Sequence, residues 1–142
     1  MPAFGPASKA NLKTAETDLQ ILFNTVITRF DCSVICGHRT REEQDSIDPK
    51  FSKVKWPHSK HNFEPSRAVD VVPYPVDWKN TNRMFMFVGY VLSTAQQLFD
   101  DGVIDHEIIS GADWDNDTET DDQIFIDLPH FQLGRHRKDL TQ

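Results

Sequence analysis

The feature that most constrains this chain is the run Ala68-Val69-Asp70-Val71-Val72, stopped by Pro73 and Pro75. Small and β-branched residues in so short a run favour a strand, and proline, which cannot donate to a ladder, marks its end. Side chains alternate along a strand, so Val69 and Val71 share one face while Ala68, Asp70 and Val72 share the other. A carboxylate in that setting needs compensation, because burying an unpaired charge is expensive. A metal ion, an arginine partner or a set of donors would each suffice, as would a strand edge open to water.

Around this strand the pattern predicts a small α+β domain. Leu12, Ala15, Leu19, Leu22, Val26 and Phe30 recur at helical spacing, which predicts one amphipathic helix over residues 9–30 with Ser8 as its N-cap. A β-rich run follows over 32–36, ended by Gly37, and Thr40 caps a brief polar helix over 41–46. Residues 48–66, broken by Pro49, Pro57 and Pro65, read as a long irregular loop, and loops of that length are usually functional or mobile. A second helix spans 82–99, with Phe85, Val88, Leu92, Ala95 and Phe99 on one face and Gly102 closing it. Residues 106–110 form a strand, and a last strand lies near Ile124 or at 131–133. Helices and strands are segregated, so the expectation is a central antiparallel sheet with flanking helices.

The 142 residues suit one domain, 1–142, expected to be monomeric. A net charge of -7 with no block of Lys or Arg argues against nucleic acid, whose binding rests on clustered cations. The longest apolar stretch, 84–92, falls far short of the roughly 20 residues that cross a bilayer. Residues 1–11 carry no basic start and apolar run, so the expectation is a product made in the cytoplasm without membrane insertion. Cys32 and Cys36 would sit about 13 Å apart on a strand, too far for a disulfide. No second cysteine pair completes a structural zinc site, so both read as reduced, buried structural thiols.

Six histidines are present. His106-Glu107 opens a His-Glu-x-x-His motif, but Ser110 stands where the second His must be, so that motif fails. His136, among Arg135, Arg137 and Lys138, reads as solvated. Two clusters remain beside Asp70: Ser59-Lys60-His61, and Asp127-Leu128-Pro129-His130. Two imidazoles and a carboxylate suffice for a catalytic zinc site, which keeps a fourth position open for water. Asp127, three residues before His130, would then be available as a general base.

The joint pattern resembles the zinc peptidases of the bacterial cell wall, which include phage L-alanyl-D-glutamate endopeptidases and D-alanyl-D-alanine carboxypeptidases. The resemblance rests on Gly37-His38-Arg39-Thr40 with Glu43-Gln44, on Ser59-Lys60-His61 running to Ala68-Val69-Asp70, and on Gly111-Ala112-Asp113-Trp114 before Asp127-Leu128-Pro129-His130. It extends from about residue 9 to residue 134. It implies the compact fold of these peptidases, one zinc on His61, Asp70 and His130, Asp127 as base and Arg39 as oxyanion stabiliser. It also implies Ser59, Gln44 and Trp114 on the substrate side, peptidoglycan as partner, and the phage branch, an endolysin acting in the periplasm after holin release. The rivals are a carboxypeptidase of the same family and an inactive wall-binding module, against which the intact Asp127 argues.

One departure stands out. Eight residues lie between His61 and Asp70, and Pro65-Ser66 stands where the commoner, shorter form has Gly. The loop between the ligands should differ in shape while its ends stay in place. His58 is a weaker rival to His61, because Pro57-His58 does not match the family motif. Trp56, Phe63, Tyr74 and Trp114 are candidates to line a peptide cleft, although aromatics in such a domain are more often core. Asp115, Asp117 and Glu119 alternate as calcium ligands do, without the Gly and distant Glu of an EF-hand, and a solvated acidic loop is the plainer expectation.

Overall fold

The computed structural model describes residues 1–123 and 125–140. Four strands, β1 (Cys32–Cys36), β2 (Ala68–Pro73), β3 (His106–Gly111) and β4 (Asp127–His136), form one sheet in the order β1-β2-β4-β3. Every neighbouring pair is antiparallel. The helices are α1 (Pro6–Lys13), α2 (Thr17–Val26), α3 (Arg41–Asp45) and α4 (Thr81–Asp100). The α+β expectation holds. The final strand falls where residues 131–133 predict it, while Ile124 lies outside the described residues.

The core follows the alternation of β2. Val69 and Val71 join Leu19, Leu22 and Phe23 of α2, Phe87 and Val91 of α4, and Phe131 of β4. Phe131 meets Phe23 edge-on at 5.4 Å, which suits the ring quadrupoles. Asp70 is thereby carried on the face turned away from the helices, with His130 and Gln132 of β4.

The long first helix is corrected to two. The predicted stripe is buried as far as Val26, with Phe30 half-buried beyond the end of α2, but the chain breaks between α1 and α2 because this segment pairs with a distant one. Ser66 donates to the Thr14 carbonyl at 2.8 Å, and Glu16 donates to the Ser66 carbonyl at 2.9 Å. Ser8 is not the cap either. Gly5 occupies that position ahead of Pro6, and Ser8, inside α1, accepts from the Val34 amide at 3.0 Å. That contact binds α1 to β1.

Other boundaries follow local chemistry. Thr40 makes a capping box with Glu43 at the start of α3, and Gly102, at φ +75°, ends α4 in the left-handed region. The 48–66 loop is not wholly irregular, for Lys60–Asn62 form a 3-10 turn. Among the described residues, no helix is long and apolar enough to cross a membrane.

Candidate active site

Two ladders and one capped turn build the site. Asp70 of β2 and His130 of β4 are direct cross-strand partners. His61 sits in the 3-10 turn, where Ser59 accepts from the His61 amide at 3.2 Å and Asn62 accepts from the Ser59 amide at 3.0 Å. The turn is pinned from outside as well, since the Arg39 amide donates to the His61 carbonyl at 2.8 Å. Gly111, opposite Asp127 where β3 meets β4, has no room for a side chain, because a Cβ there would lie 2.1 Å from the Asp127 carbonyl oxygen.

The three polar atoms converge. His61 Nε2 lies 3.2 Å and His130 Nδ1 3.5 Å from the same Asp70 oxygen, Oδ1. The remaining ring nitrogens are engaged elsewhere: His61 Nδ1 with the Gly37 carbonyl at 2.8 Å, and His130 Nε2 with Gln132 Oε1 at 2.9 Å. Asp127 Oδ2 stands 3.9 Å from His130 Nδ1. His61, 2% exposed, and His130, 7% exposed, are buried, while the Asp127 side chain, at 28%, still meets solvent.

Arg39 adds a positive charge beside Asp70. Its Nη2 is 3.4 Å from Asp70 Oδ2 and its Nη1 donates to Gln44 Oε1 at 3.0 Å. Gln44 is buried and fully engaged. Its oxygen also accepts from Asn62, and its nitrogen donates to the Val54 carbonyl and to Ser52. Ser59 and Gln44 are therefore turned inward, holding the turn and Arg39. Trp114 is half-buried, its ring 5.1 Å from that of His130 and its indole N–H donating to the Phe125 carbonyl at 2.7 Å.

The electrostatics describe a site prepared for positive charge. Burial alone would raise the Asp70 pKa, but hydrogen bonds from His130 and His61, with their charge, hold it well below the usual carboxylate range. Burial would likewise lower the His61 pKa, yet Asp70 and the Cys36 thiol outweigh it and raise it to about 10. In the metal-free protein a proton on His61 thus supplies the charge that Asp70 calls for. Burial, then the neighbouring charge of Asp70, push the Asp127 carboxyl above its ordinary value, which favours proton acceptance.

Imidazole and carboxylate donors are of the kind that zinc takes. Ligand atoms about 2.0–2.2 Å from a tetrahedral centre lie about 3.3–3.6 Å from one another, close to the 3.2 and 3.5 Å between each imidazole and Asp70. Cys36, His61 and Asp70 form one group able to hold a cation, and Asp70, Asp127 and His130 another; Asp70 is common to both, and neither contains both imidazoles.

Sequence reasoning missed Cys36 and Gln132. Cys32 is buried as expected, but Cys36 is only partly so, 3.7 Å from His61 Nδ1 and 3.6 Å from Arg39 Nη2. Its pairing with Asp70 across a β-bulge was not readable locally. Gln132 was readable, being two residues from His130 on the same strand face. His58 is exposed, outside the cluster. His136 is half-buried rather than free in solvent, packing on His106 at 4.8 Å. Trp56 is half-buried, and Phe63 and Tyr74 are exposed. In the acidic loop the acids that cluster are Asp113, Asp115 and Asp117, with Glu119 outside. Asp113 spends both carboxylate oxygens on the Asp117 and Thr118 amides.

A small antiparallel sheet and one capped turn bring two imidazoles to one carboxylate, with a second carboxylate alongside. The chain matches the phage L-alanyl-D-glutamate peptidase family over residues 2–134 and belongs to it, which makes it a peptidoglycan peptidase. Its fold is shared by the crystal structure of the Serratia marcescens L-Ala D-Glu endopeptidase ChiX, with a TM-score of 0.68 and 21% identity over 99% of this chain and 96% of that one. No curated protein sequence matches the chain.

Proposed function

We propose that the protein is a zinc-dependent endopeptidase that cuts the L-Ala–D-Glu bond of peptidoglycan stem peptides, serving as a phage endolysin in host lysis. The observation that carries this reading is the approach of His61 Nε2 and His130 Nδ1 to one oxygen of Asp70, with Asp127 beside them. The phage peptidase family supports the bond and the lytic role.

His61, Asp70 and His130 would hold the zinc, which when bound supplies a Lewis acid for the scissile carbonyl and lowers the pKa of water toward about 7. Asp127, the most exposed carboxylate of the cluster, accepts the proton of the attacking water and returns it to the departing D-Glu amine. Arg39, held by Gln44, donates toward the oxygen of the L-Ala carbonyl as negative charge gathers there. Asp70 keeps the guanidinium close without neutralising the whole site, because a dication and an arginine outweigh one ligating carboxylate.

The test is digestion of purified sacculi by the zinc-loaded protein, followed by mass analysis. The expected fragments begin with a new N-terminal D-Glu, with L-Ala left on the glycan and turbidity falling. Release of free D-Ala from sacculi that stay turbid would replace this reading by a carboxypeptidase.

A further inference from the structure

We propose that Gln132 is the positioning residue that decides which nitrogen of His130 faces the metal, and that position 132 thereby sets zinc affinity. The proposal rests on the reading of His130 as a ligand. His130 and Gln132 project from the same face of β4, opposite Asp70 and Ala68 of β2. The separation of 2.9 Å between His130 Nε2 and Gln132 Oε1 is that of a hydrogen bond, and a carbonyl oxygen can only accept. Nε2 must carry the hydrogen.

A neutral imidazole has one N–H, and two sets of acceptors compete for it here. On the Nδ1 side stand Asp70 Oδ1 at 3.5 Å and Asp127 Oδ2 at 3.9 Å, both of which attract a proton. On the Nε2 side stands Gln132. By accepting the Nε2 hydrogen, Gln132 leaves Nδ1, which faces the carboxylates, as the nitrogen that gives up its hydrogen when a cation binds there. Without that acceptor, the one hydrogen of the neutral ring would settle on Nδ1 and have to leave before a metal could enter. Acceptors of this kind also fix the ring and raise its basicity as a ligand.

His61 shows the contrast. Its second nitrogen is engaged by the backbone carbonyl of Gly37 at 2.8 Å, which no side-chain substitution removes. The second nitrogen of His61 is held by the chain trace itself, whereas that of His130 is held by one replaceable side chain. Position 132 is therefore where zinc affinity can be tuned without touching a ligand.

The experiment is a zinc competition titration with a chelating indicator on wild type, Gln132→Leu and Gln132→Glu, with imidazole NMR of the zinc-loaded proteins. Gln132→Leu keeps the volume and loses the acceptor, so its zinc affinity should fall about 10–100-fold. Gln132→Glu keeps an acceptor and should bind at least as tightly as wild type. The Nε2 proton of His130 should be protected from exchange in wild type and Gln132→Glu and exposed in Gln132→Leu. Unchanged affinity in Gln132→Leu, or an equal loss in Gln132→Glu, would overturn the proposal. Should Gln132→Leu fail to fold, a wild-type His130 spectrum lacking the Nε2 proton would overturn it on its own. A wild type that binds no zinc would instead overturn the metal reading from which this role follows.

Discussion

Asp70 and His130 face one another across the β2–β4 ladder, so the distance from carboxylate to imidazole is set by strand pairing and by no loop. His61 reaches the same oxygen from a capped 3-10 turn, tied down by the Arg39 amide. One half of the site is as rigid as the sheet, and the other is as rigid as its hydrogen bonds.

The first prediction concerns metal content. Purified protein should hold about one zinc per chain, and His61→Ala, Asp70→Ala and His130→Ala should each lose zinc and wall-lytic activity together. Elemental analysis of the three variants checks it. Full zinc occupancy in all three would remove this ligand set.

Asp127→Asn should separate binding from turnover. The carboxylate lies beside His130 without being assigned to the metal, so zinc should stay while turnover falls by about 10² or more, the scale of losing a general base. Undiminished turnover would exclude Asp127 as the base.

Gln44→Leu should act through Arg39 and through stability. The substitution strands the Arg39 Nη1, while the Asn62 amide keeps the Arg39 carbonyl and the Val54 carbonyl keeps the Ser52 hydroxyl. Leaving one buried polar group unpaired costs about 1–3 kcal/mol. Denaturant unfolding should show a loss of about that size, with lower activity at saturating zinc. A variant as stable as wild type would show that the loop re-pairs without Gln44.

Cys32 should make stability depend on alkaline pH. Burial, helped by the charge of Asp31, raises its thiol from 9.0 to about 12. The unfolded thiol ionises first, so this contribution is intact below pH 9 and is lost as pH rises toward 12. Between pH 8 and pH 10.5, the Tm of wild type should therefore fall more steeply than that of Cys32→Ala, a comparison in which His61 cancels. Parallel curves would show that Cys32 does not ionise on unfolding.

What the amino-acid sequence determined by itself is local. Alternation through residues 68–72 set Asp70 apart from Val69 and Val71, because a strand turns successive side chains to opposite faces whatever surrounds it. Thr40 announced the start of α3 in the same way, since an N-cap bonds only to amides of the first turn beside it. The clusters around His61 and His130 were legible as candidates, and the family pattern joined them before any geometry did. Tertiary structure decided what depends on segments far apart in the chain. Ser66 divides a continuous helical stripe because backbone groups brought from elsewhere satisfy Thr14 and Glu16. Cys36 enters the site through cross-strand pairing and a bulge, and Gln44 turns inward because Arg39, Asn62 and Val54 all converge on it. Periodicity reports which face of an element is apolar. Which polar atoms meet across that face depends on strand register and on the competition for each hydrogen bond, and neither is encoded within a single stretch of residues.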